Sequence, residues 1–252
     1  MIRISIIIAT YNSGKTLRRC LDSIVPQMGD DVELLIIDGN SKDDTNLIIN
    51  EYRKYVSYTI SEPDKGVYDA WNKGIKKASG DFITFIGSDD MLCNGAIEMY
   101  HRFFENNGDD YDIVCGKLHF INSDGHLLRE VGEPWNWDKL RKRKWNLAHP
   151  GMLHNKRIFE KYGLFDTNYK ICADSDMLQR LGSNIKAGFI DGFLVNMSEG
   201  GISDSVKAIK EGYLIRKKNK TLPLFENMIG YASLLLRFKL SKFKNILVNH
   251  GK

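Results

Sequence analysis

Cysteine is sparse in this chain of 252 residues: Cys20, Cys93, Cys115 and Cys172 stand far apart, and none forms a C-x-x-C pair. That scatter argues against a zinc ribbon or a disulfide framework and fits buried thiols in a reducing compartment. Long apolar runs are missing as well. No stretch approaches the ~18 residues that a membrane-spanning helix needs. The first residues, Met1-Ile2-Arg3-Ile4-Ser5, lead straight into a strand pattern without a small-residue cleavage site, so no secretory signal is expected. With 42% hydrophobic and 27% charged residues, the composition excludes a disordered, collagenous or repetitive chain and leaves one large domain or two small ones.

A shortage of acids marks one end. Residues 205–252 carry 11 Lys and Arg against two acids, Glu211 and Glu226, which leaves 25 bases and 30 acids for residues 1–204. A mildly acidic body is thus followed by a basic segment suited to a polyanionic partner, either nucleic acid or an anionic membrane surface. Ile229, Ala232, Leu236, Leu240, Phe243 and Leu247 repeat there at helical spacing beside Arg237, Lys239, Lys242 and Lys244. Such a basic amphipathic helix suits interfacial membrane contact, and equally a terminal helix packed on the domain.

What is present before that segment is strict alternation. Ile4 to Ala9, Val32 to Ile37 and Val56 to Ile60 are β-branched runs typical of strands buried on both faces. Leu17, Cys20, Leu21 and Ile24 fall on one helical face, Asp43 is placed to cap a helix through Leu47, Ile48 and Tyr52, and Val67 to Ala78 reads as a third helix. The pattern predicts an α/β fold with a doubly wound, mostly parallel sheet.

The most informative stretch is Gly80-Asp81-Phe82-Ile83-Thr84-Phe85-Ile86-Gly87-Ser88-Asp89-Asp90. A short buried strand ends there in two adjacent carboxylates, at the strand end where open α/β sheets bind ligands. Adjacent carboxylates repel, and a hard divalent cation relieves them. The alternative is that Asp89 or Asp90 caps a helix beginning near Asn94. A second stretch, Ala9-Thr10-Tyr11-Asn12-Ser13-Gly14-Lys15-Thr16, satisfies a relaxed phosphate-loop pattern and would make the chain a nucleotidase. Against that, bulky Tyr11 and Asn12 stand where backbone must wrap phosphate, and the acids at 89 and 90 would have no task.

Further on, Asn94 to Phe104 reads as a helix, Tyr111 to Cys115 and Lys117 to Ile121 as strands, and Asn122-Ser123-Asp124-Gly125 as a hairpin turn. Trp135, Trp137 and Trp145 are interleaved with Arg141-Lys142-Arg143-Lys144. Aromatics beside bases can stack on sugars or nucleotides, or simply cover a core under a charged face; the cluster is too short to suggest nucleic acid. Asp174 and Asp176 open a helix with Met177, Leu178 and Arg180, where Asp174 could be a cap and Asp176 pairs with Arg180 at i, i+4.

Ile6-Ile7-Ile8-Ala9-Thr10-Tyr11-Asn12, Ile36-Ile37-Asp38-Gly39-Asn40-Ser41-Lys42-Asp43-Asp44-Thr45, Ser61 to Ile75 and the strand ending at Asp90, in that order and spacing, resemble family 2 glycosyltransferases. The third of these is similar to the bacterial colanic-acid-type branch, and the likeness returns more weakly between His149 and Arg180. The resemblance implies a GT-A fold in residues 1–204, with a nucleotide-sugar half (1–115) and an acceptor half with a smaller sheet (116–204), followed by a helical tail (205–252). It implies an inverting, metal-dependent transfer of a sugar from a nucleoside diphosphate, UDP ahead of GDP, to a glycan or lipid-linked acceptor in bacterial surface polysaccharide synthesis. On that likeness Thr10, Tyr11, Asn12, Asp38, Asp69, Asn72, Lys73, Ser88 and Asp89 would contact the nucleotide. Asp89 and Asp90 would hold Mn²⁺ or Mg²⁺, Asp174 would be the general base, and His149 and Trp145 would face the acceptor. Local alternatives exist: Asp38 as a turn residue, Asp69 serving the helix dipole, Lys73 merely exposed and His149 structural. Two departures stand out, Gly87 where many members carry Asp and Ala173 where Glu is usual; they leave open a sugar-nucleotide binder without activity. A cytoplasmic protein is expected, with peripheral contact at the inner face of the membrane through residues 205–252 and no nucleic-acid partner.

Overall fold

Residues 2–144, 146, 148–200 and 205–249 are described by the computed structural model, the last nine of them by backbone alone. The chain runs β1 (Ile4–Thr10), α1 (Leu17–Ile24), β2 (Val32–Asp38), α2 (Thr45–Glu51), β3 (Tyr58–Ser61), α3 (Val67–Lys77), β4 (Phe82–Gly87), β5 (Met91–Leu92) and α4 (Ala96–Asn107). It continues with β6 (Ile113–Ile121), β7 (Leu127–Val131), α5 (Trp137–Arg141), β8 (Leu153–Asn155), α6 (Arg157–Tyr162), α7 (Ala173–Leu181), β9 (Ala187–Ser198), α8 (Val206–Lys218) and α9 (Leu224–Asn249).

Among the described residues nine strands form one sheet in the order β3-β2-β1-β4-β8-β6-β9-β5, with β7 paired to β6. The first four are parallel, as the buried β-branched runs predict. Alternate residues serve opposite layers. Ile4, Ile6 and Ile8 of β1 pack with Leu17, Leu21 and Ile24 of α1 and with Tyr100 of α4. Ile7, between them, packs with Ile75 of α3 and with Met177 and Leu178 of α7 on the other face. Two apolar layers bury the sheet, and that burial is the main force holding it. The smaller sheet expected for the second half is continuous with the first, because β8 pairs antiparallel with both β4 and β6. The two strands expected either side of Gly116 are one, β6, whose register against β9 shifts between Cys115 and Leu118. A Cβ on Gly116 would lie 2.2 Å from Leu194 Cδ1, so the strand bends there at a residue without a side chain.

Parallel register brings the carboxyl ends of β1, β2 and β3 into one row, Thr10 opposite Asp38 and Asp38 opposite Ser61. The Asp38 carboxylate sits in the middle of that row, fully buried. Its Oδ1 accepts from Thr10 Oγ1 (3.0 Å) and Ser41 Oγ (2.5 Å), and its Oδ2 from Ser41 N (3.0 Å), Ser61 Oγ (2.5 Å) and Asn46 Nδ2 (3.3 Å). Burial alone would raise its pKa, but these donors hold it below the usual carboxylate value. This corrects the expected contact with a nucleobase: every lone pair is committed inward, so Asp38 ties three strand ends together.

The Ala9–Thr16 loop is likewise not a phosphate cradle. The amides that would wrap phosphate are occupied, Asn12 N by Ser41 Oγ (2.8 Å), Ser13 N by Thr45 Oγ1 (2.8 Å) and Gly14 N by the Asp43 carboxylate (2.9 Å). An acid stands where the anion would go.

Replacing Asp38 by Ala strands at least four donors, and is expected to cost about 3 kcal/mol or more. Urea denaturation measures it; a variant of undiminished stability would show that the row is held by something else.

Candidate active site

At the end of β4 the chain turns sharply, Asp90 N donating to Gly87 O at 3.1 Å. The next helix begins only at Ala96, so neither Asp89 nor Asp90 caps it. The two carboxylates converge instead. A Cβ built on Gly87 would meet Asp90 Oδ2 at 2.6 Å and Asp89 Oδ1 at 2.9 Å, so both oxygens point into the space that a side chain at 87 would fill. Asp90 is only 4% exposed, while Asp89 faces solvent. Burial first, then the Asp89 charge, push the Asp90 carboxyl up to about 7, although Ser198 N (2.9 Å) favours its ionised form. Arg19 of α1 and Ser198 of β9 both donate to the Asp89 carbonyl, which fixes the turn, and Ser88 Oγ meets Ser13 Oγ at 2.8 Å. Two converging carboxylates, one held half-protonated near neutrality, suit a hard divalent cation completed by phosphate oxygens and water. Among the described residues no group of three or more ligating side chains could hold a metal by itself.

Beside this pair, a cleft of about 620 Å³ opens at the ends of β1, β2 and β3, lined by Tyr11, Gly39, Asn40, Lys42, Asp64 and Val67 among others. Tyr11 is 66% exposed. A Cβ on Gly39 would meet Asp64 Oδ2 at 2.6 Å and Tyr11 Cδ2 at 3.2 Å, so the glycine lets an aromatic ring and a carboxylate meet at the cleft wall. Asp64 Oδ1 accepts from Gly66 N (2.8 Å). Its Oδ2 lies at the cleft wall beside Gly39, so Asp64 is the carboxylate that lines the cleft. The sequence singled out Asp38; the signal for Asp64 was its position before the Gly66 turn.

Other expected residues are used otherwise. Asn12 Oδ1 accepts from Lys42 N (2.9 Å) and Asp69 Oδ2 from Lys65 N (3.0 Å), each shaping a loop of the cleft. Asn72 is buried and straps Phe165 through both main-chain groups (2.9 and 3.0 Å), and Lys73 donates to Pro63 O and pairs with Glu62 (both 2.9 Å). Neither is among the residues that line the cleft. His149 is buried against Trp71 and Phe85, where desolvation lowers its pKa to about 4; it is a neutral core ring, not an acceptor-wall residue. Trp145 lies outside the described residues.

Asp174 lies in the first turn of α7, whose N-cap is Cys172. Its Oδ1 accepts from Ser175 N (2.7 Å) and Tyr68 Oη (3.2 Å), and burial raises its pKa. Tyr68 belongs to α3, directly after the Gly66 turn, and Lys170 Nζ reaches Lys65 O (2.9 Å), so the start of α7 is fastened to the cleft wall. Glu211 of α8 accepts from the amides of Lys170, Ile171 and Cys172 (2.9, 2.9 and 3.0 Å) and sets the turn that presents Asp174. Asp176 is fully buried against Arg180 (3.0 Å) and Asn219 (2.9 Å).

The sequence model described as Glycosyl transferase family 2 matches residues 5–164, more than half of the chain. The chain belongs to glycosyltransferase family 2. A PGL/p-HBAD biosynthesis glycosyltransferase of Mycobacterium bovis is 29% identical over 212 residues, covering 80% of this chain and 79% of that one. A poly(ribitol-phosphate) beta-glucosyltransferase of Bacillus spizizenii is 34% identical over 131 residues, 49% of this chain and 20% of that one. Among solved structures, S. aureus TarS 1–349 in complex with UDP-GlcNAc superposes with a TM-score of 0.70 at 18% identity, covering 93% of this chain and 72% of that one. The mannosyltransferase PcManGT of Pyrobaculum calidifontis, in complex with GDP-Man and Mn2+, gives 0.63 at 14% identity over 99% and 79%. The glycosyltransferase therefore has the GT-A fold that its motifs imply.

The glycosyltransferase should show its raised carboxyl in a pH titration. Asp90 binds a proton more tightly in the folded chain than its ordinary 3.8, so its contribution falls as pH rises from about 4 to about 7, by up to about 4 kcal/mol. Melting curves of the metal-free protein and of Asp90→Asn across that window should converge at low pH, with the variant the more stable at pH 8. Parallel curves would refute the shift.

Proposed function

We propose that this glycosyltransferase moves a sugar from a nucleoside diphosphate, UDP ahead of GDP, to a hydroxyl of a glycan or lipid-linked acceptor, with inversion, in the building of bacterial surface polysaccharide. The observation that carries the reading is the convergence of Asp89 and Asp90 over Gly87 beside a nucleoside-sized cleft. The names of the relatives, a PGL/p-HBAD glycosyltransferase and a poly(ribitol-phosphate) glucosyltransferase, support the cell-surface part.

The division of work follows from the residues. Tyr11 offers a ring face for the base, Asp64 an acceptor for its N–H or a ribose hydroxyl, and Thr10 and Asp38 hold the wall behind them. Asp89 and Asp90 would hold Mn²⁺ or Mg²⁺, which would supply Lewis-acid stabilisation for the departing diphosphate. Asp174 takes the acceptor's hydroxyl proton while that oxygen forms its bond to the anomeric carbon and the bond to the diphosphate oxygen breaks. One displacement inverts the centre, and burial of Asp174 makes it a stronger base than a solvated carboxylate. Gly87 is a departure that suits this arrangement, since a side chain there would push the two carboxylates apart.

A thermal-shift series with UDP, GDP and ATP, with and without Mn²⁺, tests the donor. UDP or GDP should stabilise the protein only with metal; stabilisation by ATP alone would sink the reading. Asp174→Asn should keep nucleotide binding and lose transfer by about a hundredfold or more. Equal loss of binding would make Asp174 structural.

The C-terminal segment supports peripheral membrane contact at the cytoplasmic face. Among the described residues no helix is long and apolar enough to cross a membrane. On α9, however, Phe225, Met228, Ile229, Leu236 and Leu240 are all more than half exposed, and Arg237 and Lys239 stand beside them in solvent. An apolar stripe with flanking bases matches an anionic lipid surface. Flotation with phosphatidylglycerol vesicles at low salt should carry the protein up, and Phe225→Ser with Leu236→Ser should leave it at the bottom; wild-type protein that stays down rules the contact out.

A further inference from the structure

Near the turn that carries Asp174 lie two arginines without an acidic partner among the described residues. Arg143, just past α5, is exposed, and its Nη1 donates to Ala208 O at 3.3 Å. Cys172 Sγ approaches the same carbonyl at 3.6 Å, so the guanidinium stands beside the turn that carries the base. The guanidinium packs against α8, close enough that a Cβ on Gly212 would meet Arg143 Nη1 at 2.6 Å. Arg216, one turn further along α8, is 2% exposed. Its Nε donates to Asn227 Oδ1 (2.7 Å), while its Nη1 is buried with no hydrogen-bond partner.

Both arginines sit at one stretch of α8, Arg143 lying against Gly212 and Arg216 following four residues later. Burial and the Arg143 charge lower the Arg216 pKa to about 10, and the Arg143 charge is felt by both Cys172 and Asp174. Neither arginine forms an ion pair among the described residues. Glu211, the acid on the same helix, has both oxygens committed to the amides of Lys170, Ile171 and Cys172. A buried guanidinium with an unmade hydrogen bond costs several kcal/mol unless an anion answers it, and a second guanidinium on the same stretch of α8 adds to that demand. Arg forks match phosphate oxygens better than any other side chain does.

We infer that Arg143 and Arg216 form an anion subsite of the acceptor, which holds a phosphate group of the acceptor while a neighbouring hydroxyl reaches Asp174. This rests on the proposed transfer reaction and narrows its acceptor from any hydroxyl to a phosphate-bearing one. Neutral oligosaccharides would lack the group that the arginines answer. The phosphate could belong to a polyol-phosphate chain or to a polyprenyl phosphate headgroup; the chemistry recognised is the same.

The test is direct binding, without donor, by titration calorimetry and vesicle co-sedimentation. The probes are a synthetic oligo(alditol phosphate), its dephosphorylated form, and phosphatidylcholine vesicles with and without a polyprenyl phosphate. Wild-type protein should bind the phosphorylated oligomer or the doped vesicles, whichever is the source, and not their phosphate-free counterparts. Arg143→Gln, on an exposed side chain, should weaken that binding by about tenfold or more, and Arg143→Glu further, with melting temperature unchanged. Arg216→Lys keeps the buried charge without the fork and should weaken binding less. Equal binding by wild type and Arg143→Gln, equal binding of the dephosphorylated oligomer, or no binding of either phosphate source overturns the subsite. UDP with Mn²⁺ is titrated into the same samples: nucleotide binding that survives in all variants separates failure of this subsite from failure of the transferase reading.

Discussion

Repulsion between two carboxylates that share the space over one glycine is the constraint around which the molecule is arranged. Asp89 and Asp90 cannot both ionise comfortably where Asp90 is buried, and the surrounding structure holds them there regardless. Arg19 and Ser198 grip the Asp89 carbonyl, and Ser198 N grips Asp90, so α1 and the far end of β9 meet at the tip of β4. The turn is stabilised by the rest of the fold and is left electrostatically incomplete. That incompleteness is what a cation with a diphosphate can fill.

Acids elsewhere do the opposite work. Glu33 gathers Ser5, Ser79 and Gly80 at the amino ends of β1 and β4, Asp38 gathers three strand ends at the other edge, and Glu211 gathers three amides before α7. Each satisfies its oxygens with internal donors, as buried charge requires. The contrast separates the acids of the frame from those of the candidate site better than burial does. Satisfied carboxylates hold the frame; Asp64, Asp89, Asp90 and Asp174 keep oxygens or protons to spare.

Periodicity made the frame readable from sequence. The β-branched runs of β1, β2 and β4 and the helical faces of α1 and α3 depend on local patterning, which is a property of neighbouring residues. Asp38 was misjudged because its partners Thr10, Ser61 and Asn46 come from other elements, so its saturation depends on register that no local window contains. Asn72 and His149 failed for the same reason, Phe165 and Trp71 being remote or turned inward. Gly87 looked like a loss when read against a motif, whereas the geometry shows a space kept open for the two acids behind it. Arg143 and Arg216 lie 73 positions apart, and nothing in either neighbourhood marks them as a pair.

Glu211 also bears on how this chain can be divided. Composition invites a cut after residue 204, with a catalytic body before and a basic appendage behind. Yet α8 supplies the three-amide acceptor that shapes the loop before Asp174, and Asn219 just beyond it satisfies the buried Asp176. A chimera that exchanges C-terminal segments at 204 would therefore exchange part of the frame around Asp174 and Asp176. The ties run further still: Thr221 donates to Gln179 of α7 (2.7 Å), and Asn227 of α9 holds both Arg216 (2.7 Å) and the Tyr213 carbonyl (3.0 Å) of α8, so a cut at 220 would also divide bonded partners.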